Sequence, residues 1–132
     1  MRRHDDRAVQ HVRQLDVVHV AGAAGEEARI LDPAQQHGFF VRIDMENSPY
    51  TEVTLEVFET LWQQQYRCVG LALQAYLHRT EKDVRRMNEL GARVRLVKGA
   101  YKEPGSVAYQ AKGEVNAAFA RLMRLLLDEG TY

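Results

Sequence analysis

The sequence predicts an α/β fold built on a parallel sheet. Three observations predict it. Short apolar, β-branched runs alternate with amphipathic helical patterns at intervals of about 25 to 30 residues, the signature of repeated βαβ units with right-handed crossovers. Residues 69–76 (VGLALQAY) are nearly continuously apolar, as strands buried on both faces of a parallel sheet are. No GxGxxG follows any of the strands, which argues against a dinucleotide-binding sheet. The alternation by itself leaves a closed barrel and an open doubly wound sheet equally available.

The elements follow in order. Residues 1–28 are rich in His, Arg, Asp and Gln, with one short apolar stretch at 17–21 able to form a strand and a Gly22/Gly25 break behind it. Such a composition predicts poor order or packing unlike a barrel strand pair. A short helical piece over 26–36 contains Ile30 and Leu31 and meets Pro33, which either starts a new helix or kinks this one. Gly38 ends it. Residues 39–45 (FFVRIDM) read as a strand whose alternation puts Arg42, Asp44 and Glu46 on one side. Thr51 opens a helix with Val57, Phe58, Leu61 and Trp62 on its packing face, flanked by Val53 and Leu55. After the strand at 69–76, Thr80-Glu81-Lys82-Asp83 predicts a capping box, with Thr80 as N-cap, and Gly91 a C-cap. A third strand begins at Val94, Gly99 and Pro104 terminate it, and a last helix presents Val115, Ala118, Phe119, Leu122, Leu125 and Leu126.

Composition sets limits on function. The 132 residues are 45% hydrophobic, enough for one core, and 18 basic residues balance 18 acidic ones. Zero net charge gives no electrostatic case for nucleic acid or an anionic membrane. The single cysteine, Cys68, makes no intrachain disulfide and no metal-site spacing, which fits a reducing compartment. No apolar run reaches 18 residues, and the basic N-terminus lacks the apolar core of a secretory signal. His4, His11 and His19 lack the spacing of helical metal ligands, so no metal site is expected.

Chemistry concentrates in Arg95-Leu96-Val97-Lys98-Gly99-Ala100-Tyr101. Two cations stand in a segment that otherwise reads as buried, and a buried cation requires an anionic or hydrogen-bonding answer. That answer is either a ligand held at the strand's exit or an internal carboxylate on the next strand.

RLVKGAY (95–101), preceded by LQAYLHRTEKD (73–83) and VRIDMENSPYT (41–51), resembles the flavin-dependent proline dehydrogenases, with the three motifs in the family's order. The likeness runs from about residue 29 onward. It is similar to the short monofunctional bacterial enzymes and to the equivalent domain of the bifunctional proline-utilisation proteins. The resemblance implies a (β/α)8 TIM barrel, of which 29–132 would form a partial barrel of about three central strand–helix units. The segment 1–28 would be unlike the family. It further implies an oxidoreductase of proline catabolism, converting L-proline to 1-pyrroline-5-carboxylate by hydride transfer to FAD and passing electrons to a membrane quinone. The setting would be cytoplasmic, with peripheral association at the inner membrane.

By resemblance, Arg95 and Asp44 are the catalytic pair. Asp44, Leu96, Ala100 and Tyr101 line the substrate pocket, and Gln74, Arg95, Lys98, Gly99 and Ala100 hold the flavin. The alternative for Gln74 is a buried amide satisfied by backbone. The family's first-strand lysine finds no counterpart in 1–28, and its carboxylate-clamping arginine pair falls beyond Tyr132. A fragment inactive by itself is therefore expected. The competing classes are a non-catalytic structural fragment and another barrel enzyme using Arg95 and Lys98 for a phosphorylated ligand.

Overall fold

A computed structural model describes residues 26–132 and, as backbone, the strand at 14–17. Four strands, β1 (Gln14–Val17), β2 (Phe40–Ile43), β3 (Val69–Gln74) and β4 (Val94–Val97), alternate with four helices, α1 (Glu26–Gln36), α2 (Thr51–Gln63), α3 (Thr80–Leu90) and α4 (Lys112–Glu129). A 3-10 turn, Ser48–Tyr50, leads into α2. All strand pairings are parallel and the spatial order is β1-β2-β3-β4. That order decides what the alternation left open. A doubly wound sheet reverses its strand order and carries helices on both faces, whereas sequential right-handed crossovers put every helix on one face. This is the arrangement of a TIM barrel. Thr131 makes a parallel bridge to Arg93, continuing the same order beside β4.

One face of the sheet and the four helices form the core. Val41, Ile43 and Met45, then Val69, Leu71 and Leu73, meet Leu31 and Ala34 of α1, Leu55, Phe58 and Leu61 of α2, Val84 and Met87 of α3 and Leu122 of α4. β3 is buried along its whole length because it has a strand on each side, while β4 is only half-buried. Burying a Leu, Ile or Phe side chain is worth about 1.5–3 kcal/mol, so this layer holds the fold. Across the helix surfaces, Arg86 pairs with Glu59 and Arg121 with Glu81.

Several local expectations change. A strand runs at Gln14–Val17, in register with β2, and shares Val17 with the apolar stretch expected as a strand, the rest of which lies outside the described residues. The remainder of 1–28, apart from the start of α1, lies outside the described residues, and with it the expectation of poor order. Pro33 lies inside one helix, α1, and its carbonyl accepts the His37 N–H at 3.0 Å. The buried face of α2 centres on Thr54, Leu55, Phe58 and Leu61, with Val53 exposed. The Thr80 capping box is absent. Arg79 already has helical φ and ψ of −74° and −19°, so Thr80 is inside the helix and its hydroxyl donates to the Gln74 carbonyl. Asp83 instead accepts from Arg79 Nε and a terminal guanidinium nitrogen, at 2.7 and 3.0 Å. Gly91 does cap α3, at φ +74°.

Candidate active site

Strand alternation divides the predicted site residues between two faces. In register, Arg42 lies beside Gly70, Ala72 beside Arg95, and Gln74 beside Val97. These belong to the face the helices leave uncovered. Two residues beyond Arg42, Asp44 returns to that face, half-buried, its carboxylate accepting the Met45 N–H at 3.1 Å. Lower on the same face the Phe40 ring crosses Gly70, where a Cβ would come within 2.7 Å of the ring and 2.5 Å of the Arg93 carbonyl. The Arg42 and Arg93 guanidiniums stand 5.4 and 5.0 Å from the Phe40 centroid, within cation–π range.

At the C-terminal ends of the strands, where barrel enzymes place their chemistry, Gln74 is 2% exposed and its Nε2 donates to the Glu46 carbonyl at 2.8 Å. The carboxamide nitrogen is thus the buried, backbone-satisfied group foreseen as the alternative. The Glu46 carboxylate in turn accepts the Tyr101 hydroxyl. That hydrogen bond, followed by desolvation and the nearby Glu46 and Asp44 charges, pushes the Tyr101 phenol above the usual tyrosine value, since each opposes a phenolate. Gly99 has φ +124°, and a Cβ there would lie 2.3 Å from the Tyr76 ring. The β4–α4 loop is therefore seated directly on Tyr76, whose own phenol burial raises in pKa.

Arg95 is exposed rather than buried. The apolar run predicts an interior strand, yet within β4 Val94 and Leu96 pack on the helix side while Val97 lies with Arg95 on the other face. Leu96, in register with Leu73, packs into the helix-side core. Lys98 also turns that way: its Nζ donates to Asn116 of α4 at 2.8 Å and lies 5.9 Å from the Phe119 centroid. Arg95 and Lys98 therefore do not converge on one phosphate. Asp44, Gln74 and Arg95 share a face, Glu46 joins Gln74 to Tyr101, and Gly99 and exposed Ala100 form the connecting loop. Val97 shares the face of Arg95, as the same alternation implies. Sequence reasoning missed Glu103, whose carboxylate accepts the Ser48 N–H and hydroxyl at 2.7 Å each, a partner 55 residues away with no local signal. Among the described residues there is no cluster of three His, Cys, Asp or Glu able to hold a metal ion, and no helix long and apolar enough to cross a membrane.

These features define a parallel α/β protein of TIM-barrel type with its polar groups at the strand ends. The family model for proline dehydrogenase matches residues 3–129, and the chain belongs to that family, an oxidoreductase family. The match begins upstream of residue 29, so it takes in most of the segment read from sequence as unlike the family. The chain is 40% identical over 104 residues to proline dehydrogenase 2 of Bacillus subtilis, covering 79% of this chain and 34% of that one. It is 40% identical over 105 residues to the proline dehydrogenase of Deinococcus radiodurans, with coverages of 79% and 34%. It thus spans about a third of the length of the curated relatives it matches. A crystal structure of proline utilization A from Bdellovibrio bacteriovorus, inactivated by N-propargylglycine, superposes with a TM-score of 0.69 at 30% identity, covering 76% of this chain and 13% of that one.

Proposed function

We propose that the protein to which this chain contributes oxidises L-proline to 1-pyrroline-5-carboxylate with FAD as cofactor. The observation that supports this most directly is the face of β3 and β4 turned away from the helices, where exposed Arg95 stands beside buried Ala72 and the buried Gln74 amide stands beside Val97. That donor set fits a flat heterocycle with one polar edge. A bound flavin supplies the hydride acceptor. Arg95 would hold negative charge at the ring, Gln74 the ring edge, and Gly99 and Ala100 the adjoining length of cofactor. Lys98 would join them only by leaving Asn116.

On the substrate side, Asp44 and Tyr101 stand at the strand ends, and Leu96 would contribute through the packing beneath them. Oxidation removes a hydride from proline C5 and a proton from the ring nitrogen, leaving the C=N bond of the product. No protein nucleophile is needed; the residues align the ring and set the local charge. Electrons would pass to a quinone, with the protein peripheral to the membrane that holds it.

A polypeptide limited to these 132 residues would not turn over, because the four strands of the described residues do not enclose a site that eight strands build. The test is to purify the complete protein, reconstitute it with FAD, and follow dye reduction with saturating L-proline beside the isolated 132-residue piece. Bound flavin and proline-dependent reduction by the complete protein alone are expected. A complete protein that binds flavin but reduces no dye with proline overturns the reading, and full turnover by the piece overturns the claim about the piece.

A further inference from the structure

The loops after β2 and β4 meet above the end of β3 through two pairs of residues, each two positions apart along its own loop. Tyr101 donates to Glu46, and Ser48 donates to Glu103 through both its N–H and its hydroxyl, at 2.7 Å each. β2 and β4 are not neighbours; with β3 between them they stand about 9–10 Å apart, so these side-chain bridges tie the two loops across it. Both ends of the Glu103 bridge are held. Ser48 begins the 3-10 turn into α2. Glu103 precedes Pro104, whose carbonyl accepts the N–H groups of Val107 and Ala108 at 3.0 and 3.1 Å. At the other end of the loop, Gly99 lies on the Tyr76 ring. Tyr101, 39% exposed, stands midway between these two anchors.

The geometry points to Glu103 as a positioning residue: its clamp on Ser48 fixes residues 99–103 so that the Tyr101 phenol is presented at the strand ends beside Glu46. A carboxylate taking two donors from one residue sets both distance and direction, and such charge-assisted bonds are the strong ones. Without it, the segment would still be held by the Tyr101 hydroxyl, by Gly99 and by Gln110 Nε2 on the Glu103 carbonyl at 3.1 Å, but by no side-chain bond from Glu103 to the β2 loop. For its effect on proline this inference rests on the function proposed above; the clamp itself does not.

The test compares Glu103→Ala and Glu103→Gln in the complete holoprotein. The amide oxygen of the Gln variant can still accept the Ser48 N–H while its NH2 donates to the Ser48 hydroxyl, so it should rescue. Glu103→Ala should speed amide exchange of residues 99–103 by about tenfold or more, the loss of at least one charged hydrogen bond. It should raise the KM for L-proline by about tenfold with kcat within about twofold. Glu103→Gln should stay within about threefold of wild type in both measurements, about half of one tenfold step. A merely stabilising Glu103 would lower the unfolding midpoint without moving KM, and that result overturns the inference, as does unchanged exchange in Glu103→Ala. If the Ala variant does not fold, Ser48→Ala, which removes one of the two donors, should show the same pattern at smaller size, and its absence overturns the inference equally. Should the wild type not oxidise proline, the functional reading fails, and the exchange comparison still decides the clamp.

Discussion

Gly99→Ala tests the loop geometry most directly, because two costs are imposed at one atom. The backbone there has φ +124°, and the added Cβ would sit 2.3 Å from Cδ1 and 2.4 Å from Cε1 of Tyr76. The first cost is that of holding a non-glycine residue in a sparsely populated conformation, about 1–3 kcal/mol. The second is overpacking against a ring that is itself only 8% exposed and has little room to retreat, again about 1–3 kcal/mol. Together they come to about 2–6 kcal/mol, against a typical total stability of about 5–15 kcal/mol. Gly38→Ala is the internal control. Its φ is +70° and nothing lies within 4 Å of the new Cβ, so it carries the backbone cost alone, about 1–2 kcal/mol. Urea denaturation of both variants in the complete protein measures the difference. Gly99→Ala should be the more destabilised by at least about 1 kcal/mol, and it should also lose flavin, whereas Gly38→Ala should keep it. Equal losses would refute the close seating of Gly99 on Tyr76 and with it the argument that this loop has one fixed height above β3.

Two further outcomes are expected. Arg95→Ala should leave the fold within about 0.5 kcal/mol, as surface substitutions do, since Arg95 is exposed on a half-buried strand. It should nevertheless lower flavin content or slow flavin reduction by about tenfold or more, measured by visible absorbance and stopped-flow reduction; unchanged values would remove Arg95 from the site, and unfolding would assign it a structural ion pair. Tyr101 should ionise above the ordinary tyrosine range, chiefly because its hydroxyl donates to Glu46. A pKa raised by folding means that the contact stabilises fully below the unfolded tyrosine value and is lost as pH rises through the higher folded one. An ultraviolet phenolate titration of Glu46→Gln should move this ionisation down toward the usual value, and an unmoved curve would refute the contact.

Much of the fold was legible because its signals are local. The continuous apolar run at 69–76 is β3 and the residues after it, the α4 pattern recovers buried Ala118 and Leu122, and Gly91 caps α3 at positive φ. What was not legible depends on neighbours. Arg95 reads as buried because its strand is apolar, but among the described residues only β3 pairs along the length of β4, and it is Val94 and Leu96 that face the helices. Thr80 read as a cap because its spacing to Asp83 fits one. The competing partner, the Gln74 carbonyl, comes from the strand six residues earlier, and Arg79 claims Asp83. The Ser48–Glu103 clamp joins residues 55 apart, and no window of sequence contains both.

For the candidate site the sequence names residues without dividing them between faces, and strand period supplies the division. Along β4 and just past it, Val94, Leu96 and Lys98 serve the helix layer, the last by reaching Asn116 of α4, while Arg95 and Val97 face the other way. A seven-residue motif in a parallel sheet is therefore two interleaved motifs, one that seats a helix and one that lies on the opposite face. The same division holds at Gln74, whose carbonyl anchors Thr80 of α3 while its side chain holds Glu46. Substitutions at Leu96 or Lys98 act first on how α4 sits, and reach the strand ends only through that packing. Arg95 lies on the opposite face, beside Ala72. Its neighbours Leu96 and Lys98 tie the backbone beneath it to the helix layer, so one short strand is scaffold on one face and carries Arg95 and Val97 on the other.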